Sequence, residues 1–203
     1  MARTSRWSSI WVPVTAMALA GVALVVSARP ASAHTGLPAR SALDGLLHPL
    51  TGPDHLLAMV AVGVLAASVS NRRVAWMTPI GFVLGMIAGG VAGMIGLQLP
   101  GVEVVIALSV IVLGLLIVTM KDDAGPWLPI LAGAFGAIHG HAHGAELPAS
   151  AVSLAYVAGF VLATAALHLS GTAIGLGLRR TPVLRMAAGT AVSMAGLVVL
   201  LGV

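Results

Sequence analysis

Seven histidines stand in a chain that carries only ten basic and six acidic residues. Two stretches hold five of them. The first reads His48-Pro49-Leu50-Thr51-Gly52-Pro53-Asp54-His55. Two imidazoles and a carboxylate form a ligand set suited to a divalent first-row metal. His48 and His55 are two helical turns apart on a continuous helix, but Pro49, Gly52 and Pro53 predict a broken one. Asp54 is also placed to cap a helix beginning at His55, a role that accounts for neither histidine. The second stretch reads His139-Gly140-His141-Ala142-His143-Gly144-Ala145-Glu146. On a helix, His139, His143 and Glu146 fall at i, i+4 and i+7 and share one face. His141 projects from roughly the opposite side, toward a different partner or a frayed end. The blander reading of this stretch is a histidine-rich loop that scavenges metal weakly.

Four further groups join the candidates. His168 is expected deep in an apolar segment, with Thr164 and Thr172 one turn to either side. It marks either a polar path across a bilayer or one hydrogen bond to a neighbouring helix. Asp44, four residues before His48, is placed to orient that ring. Glu103 opens an apolar run and suits a helix N-terminus. His34 follows Ala31-Ser32-Ala33. If cleavage makes it the N-terminal residue, its α-amine and imidazole can chelate a metal together; otherwise it belongs to a disordered terminus.

The elements that must position these groups are membrane helices. Hydrophobic residues make up 59% of the 203 and charged residues 8%, against about 25% charged in soluble domains. Such a chain has no polar skin, which excludes an ordinary soluble enzyme, a disordered chain and a nucleic-acid binder. The absence of cysteine excludes disulfides, thiolate metal sites and a lipoprotein anchor. Arg3 and Arg6, the apolar run Val14 to Val26 and the small residues at Ala31 and Ala33 describe a signal peptide over 1–33. A retained first helix is the alternative. A crossing needs about 20 apolar residues, and residues 34–203 divide into six such spans, at 43–69, 75–97, 102–120, 127–146, 151–178 and 182–203. The fold expected is therefore an all-α membrane bundle of six helices, its first span broken by proline and glycine. Arg72, Arg73, Lys121, Arg179, Arg180 and Arg185 fall on one side and only Arg40 on the other. The positive-inside rule then puts both mature termini outside a bacterial inner membrane. Gly81, Gly85, Gly89 and Gly93 form a four-residue stripe for close helix packing. Met77, Met86, Met94, Met186 and Met194 are read as apolar filling.

The pattern His48-Pro49-x-x-Gly52-x-Asp54-His55, followed by His139-Gly140-x-Ala142-His143-Gly144-x-Glu146, resembles the HupE/UreJ family. Members are regarded as bacterial nickel permeases, sometimes associated with hydrogenase or urease maturation. The resemblance spans nearly the whole chain. It implies that His34, His48, Asp54, His55, His139, His143 and Glu146 are candidate metal residues; Asp44, His141 and His168 stay, on the reading of the residues alone, possible supporting or pathway groups. It also implies a transported substrate, Ni²⁺ foremost and Co²⁺ as the alternative, with no resident cofactor. Five residues separate His48 from Asp54, where a larger class of nickel/cobalt transporters has four. Imidazole and carboxylate donors accept either metal. The rival from another class is an intramembrane zinc hydrolase or a metal sensor, though the chain has no HExxH motif. A haem protein with two histidine ligands would need paired deep histidines, and only His168 is clearly deep.

Overall fold

The computed structural model describes residues 41–120, 124–146 and 154–202. Among these the fold is all-helical, without strands. Its helices are α1 (Ala42–Thr51), α2 (Pro53–Ser68), α3 (Arg72–Met94), α4 (Val102–Thr119), α5 (Trp127–Glu146), α6 (Leu154–Leu178) and α7 (Pro182–Leu201). The expected signal peptide, His34, Arg40 and Lys121 lie outside the described residues, as does the side chain of Glu146.

Four helices, α3, α4, α6 and α7, are long and apolar enough to cross a membrane alone. The segment expected as one span at 43–69 is two helices, α1 and α2, meeting at 87°. The corner has a local cause. Gly52 precedes Pro53, and the residue before a proline is pushed out of the α region. Gly52 is accordingly extended, at φ −97° and ψ 115°, and Pro53 occupies the first turn of α2, where its missing N–H costs nothing. One boundary differs from the sequence expectation. Arg72 and Arg73, expected in a loop, form the first turn of α3, because the Asn71 side chain accepts hydrogen bonds from the Arg73 and Val74 N–H groups (3.0 and 3.4 Å).

Glycine decides which helices touch. A Cβ on Gly85 would strike the Gly133 carbonyl and one on Gly89 the Ala137 carbonyl; from the other side, one on Gly140 would strike the Met86 carbonyl. The stripe of α3 thus meets a matching stripe of α5 backbone to backbone. Residues 81, 85, 89 and 93 face 129, 133, 137 and 141 in order, so the two helices run parallel. Gly171 of α6 meets the Val60 carbonyl and Gly175 meets Val64, so α2 and α6 are joined in parallel as well, with Gly63 of α2 against the His168 carbonyl. Gly114, Gly189 and Gly196 join α4 to α7 in antiparallel fashion.

The polarity of the bundle is inverted relative to a water-soluble protein. Large apolar side chains such as Leu84, Ile130, Leu162 and Leu169 face outward. His55, Ser109, His139, His141, His143, Thr164 and His168 are buried. An apolar exterior around a polar interior is what a hydrocarbon solvent selects. The chain is a multi-pass membrane protein.

Candidate metal centre

The corner at Gly52 sets the first motif. His48 lies in the last turn of α1 and His55 in the first turn of α2, on either side of the bend. The Thr51 hydroxyl donates to the His48 carbonyl (2.7 Å) and closes the last turn of α1. At the other end of α1, Asp44 forms a capping box with Ser41. Its carboxylate accepts from the Ser41 N–H (3.0 Å) and hydroxyl (2.8 Å), and the Ser41 hydroxyl oxygen accepts from the Asp44 N–H (3.1 Å). The structure thus gives Asp44 a role in starting the helix that carries His48.

Asp54 fixes the state of His55. One carboxylate oxygen, Oδ1, lies 2.8 Å from the His55 backbone nitrogen and 2.8 Å from His55 Nδ1. An ionised carboxylate only accepts, so Nδ1 carries the ring proton. That leaves a lone pair on His55 Nε2, which is buried and has no hydrogen-bond partner.

The second motif lies on α5, which close packing on α3 holds against the first. His139 is fully buried. Its Nε2 is 2.8 Å from Ser109 Oγ, and the Ser109 hydroxyl donates its single proton to the Ile106 carbonyl (2.7 Å). The serine oxygen must therefore accept from His139 Nε2–H, which leaves the lone pair on Nδ1. His139 Nδ1 is also buried and unpartnered, as is His143 Nε2.

The two motifs meet. His48 Nε2 and His143 Nδ1 are 2.8 Å apart across 95 residues of sequence. The His55 ring lies 4.2 Å from the His143 ring and 4.7 Å from the His139 ring, centroid to centroid. Phe160 packs on His143 at 5.0 Å and Phe82 on His139 at 5.7 Å, closing the cluster with apolar walls. As the side chains stand among the described residues, no three donors converge closely enough to hold an ion. The nitrogens of His48 and His143 are turned to each other.

Other candidates lie elsewhere. His141 points away from the cluster, with Nε2 2.6 Å from the Leu97 carbonyl, and lines a separate cavity with Glu103 and Gln98. His168 lies beyond Phe82, whose ring is 5.3 Å from its own. Sequence reasoning missed Ser109. Its signal was present, since Ser109 is the one polar side chain between Glu103 and Thr119 of α4.

Imidazole nitrogens and one carboxylate are donors of the kind that suit a borderline dication. The lone pairs of His55 Nε2 and His139 Nδ1 are each oriented by a hydrogen bond on the opposite ring nitrogen, the usual arrangement behind metal-binding histidines.

The HupE / UreJ protein family model matches residues 22–199. Protein HupE of Rhizobium leguminosarum bv. viciae is 42% identical over 201 residues, covering 97% of this chain and 100% of that protein. No solved structure matches. With a family model over most of its length and a full-length relative at this identity, the chain belongs to the HupE/UreJ family.

Proposed function

We propose that this protein is a secondary-type permease that imports a divalent transition metal, Ni²⁺ foremost and Co²⁺ as the alternative, across the bacterial inner membrane. One observation carries the reading. Three buried ring nitrogens, His55 Nε2, His139 Nδ1 and His143 Nε2, have no hydrogen-bond partner, and the rings of His139 and His143 each face that of His55. A buried polar atom without a partner costs about 1–3 kcal/mol. Three in one cluster are intelligible as donors kept for a ligand. The ligand must be an electron-pair acceptor, because the two nitrogens with assigned tautomers present lone pairs.

The metal residues in this reading are His48, Asp54, His55, His139 and His143. His34 and Glu146 complete the set by the family pattern, with His34 as a capture point at the outer mouth of the mature chain. The directions of the helices support six crossings. The α1–α2 pair leads in, α3 out, α4 in, α5 out, α6 in and α7 out, which makes α2/α6 and α3/α5 parallel and α4/α7 antiparallel. Both mature termini then lie outside, and Arg72, Arg73, Arg179, Arg180 and Arg185 face the cytoplasm. The chain has no P-loop with which to use ATP. The membrane potential supplies about 4.6 kcal/mol per 100 mV to an entering dication. The imported metal would serve hydrogenase or urease maturation.

The test is uptake of submicromolar ⁶³Ni by cells lacking other nickel importers. Wild type should accumulate nickel, and His55→Ala and His143→Ala should each abolish uptake at equal membrane levels. No wild-type uptake, with tight stoichiometric binding by the purified protein, would replace the permease by a metalloenzyme or sensor.

A further inference from the structure

We propose that the outward groove between α3 and α6 binds one anionic phospholipid, its phosphate held by Arg72 and Arg179 and one acyl chain laid along the groove. The groove has a volume of about 620 Å³. Exposed Trp76, Ile80 and Leu84 of α3 wall it on one side, and Leu169 and Leu176 of α6 on the other. The small side chains of Ala67, Ala75 and Ala165 leave the space between those walls. From Arg72 to Leu84 the groove extends about 18 Å along α3. That is more than half of the ~30 Å hydrocarbon core, so it takes an acyl chain from headgroup level to the midplane. Below the mouth the polar side chains are engaged or buried. The Thr172 hydroxyl donates to the His168 carbonyl (2.8 Å), and both ring nitrogens of His168 are buried.

The mouth has the opposite character. Arg72, Arg179 and Ser70 stand there together. Nη2 of Arg179 donates to the Val69 carbonyl (2.9 Å), which fixes the side chain and leaves further guanidinium N–H groups for a ligand. Arg72 opens α3, whose N-terminus adds partial positive charge. No acidic side chain lines the groove among the described residues, so its mouth repels cations and selects an anion. The arginine fork matches phosphate in geometry. Trp76, one turn on from Arg72, stands where indole rings mark the headgroup level. A basic mouth over an apolar cleft between membrane helices suits an anionic headgroup with its acyl chain. A second copy fits less well. A two-fold axis along the membrane normal would bring four of these arginines to one level, where like charges repel. The topology proposed above places the lipid in the cytoplasmic leaflet, but its binding does not depend on the transport reading.

The experiment is native mass spectrometry of the purified full-length protein, released from detergent after titration with phosphatidylglycerol or with phosphatidylcholine of the same acyl chains. Wild type should retain one phosphatidylglycerol in preference to phosphatidylcholine. Arg72→Gln with Arg179→Gln should lower the phosphatidylglycerol affinity by about 25-fold, at about fivefold per arginine, and leave phosphatidylcholine unchanged. Arg73→Gln with Arg180→Gln removes the same charge from the same end but outside the groove, and should leave the affinity within about twofold. Ala165→Phe fills the groove and should lose the bound lipid. Equal retention of the two phospholipids by wild type overturns the inference. Equal losses in the two arginine pairs also overturn it, since they would reduce the effect to general surface attraction. So does lipid retained by Ala165→Phe, or a dimer that Ala165→Phe dissociates, which would make the groove a self-interface. If the Arg72/Arg179 pair does not fold, Arg72→Gln alone, on an exposed side chain, is read by the same criteria with a loss of about fivefold.

Discussion

Removing the Ser109 hydroxyl tests the tautomer argument on which the cluster depends. In Ser109→Ala, His139 Nε2 loses the only acceptor the structure gives it, at 2.8 Å. His139 is fully buried, so bulk solvent does not reach that nitrogen. Two consequences follow. An unpaired buried N–H costs about 1–3 kcal/mol of stability. The imidazole is also released to move its proton to Nδ1, the nitrogen offered to the metal. Loss of a group that orients a metal-ligating histidine lowers affinity by about 10–100-fold, or about 1.4–2.7 kcal/mol. Calorimetric titration of Ni²⁺ into detergent-solubilised wild type, Ser109→Ala and Ser109→Thr measures this directly. The alanine variant should bind within that range of weakening, and the threonine variant, which keeps the hydroxyl, should recover most of the loss. Unchanged affinity in Ser109→Ala would refute the claim that Ser109 sets the state of His139.

Two further outcomes follow from the same structure. Metal binds the deprotonated imidazole, so protons compete, and ⁶³Ni uptake at constant membrane potential should fall on acidification, at a pH set by the burial of the limiting imidazole; uptake that stays flat to the lowest pH at which the protein remains folded would count against histidine ligation. Gly140→Leu drives a side chain into the Met86 carbonyl and should abolish folded protein, whereas Gly177→Ala, where a Cβ meets nothing within 4 Å, should stabilise by about 0.5–1 kcal/mol. Size-exclusion profiles and thermal melts of the two variants decide this, and equal tolerance at both positions would contradict the α3–α5 packing.

The parts of this molecule legible in its sequence are those encoded by local spacing. Gly81, Gly85, Gly89 and Gly93 announce a close helix contact because a four-residue repeat stays on one face. Gly52-Pro53 announces a break because the proline constrains the residue before it. The sharpness of that break is a different matter. Nothing local specifies 87°, which depends on α1 packing against α6 through Gly45 and Gly159. The α5 segment shows how function blurs the signal. Its histidines and glycines lower its hydropathy, so α5 is not among the helices apolar enough to cross alone, although it is 20 residues long.

Within the site, residue types and spacing point to the histidines, but their partners are products of the tertiary fold. The approach of His48 to His143 spans 95 residues. The pairing of His139 with Ser109 joins α5 to α4 and is invisible to any helical periodicity. Asp44 shows the converse, because its spacing to His48 suggests a helper for that ring and its capping box with Ser41 is equally local. His141 takes the Leu97 carbonyl because the loop after α3 lies beside the end of α5, a placement set by the parallel packing of those helices.

The central claim is that imidazoles from both motifs hold one ion. X-ray absorption at the nickel edge of the Ni²⁺-loaded protein measures it most directly. The account predicts a shell of nitrogen and oxygen donors with at least three imidazoles in wild type, losing imidazole scattering in both His55→Ala and His143→Ala. A shell with no imidazole, or one left unchanged by either substitution, would contradict it.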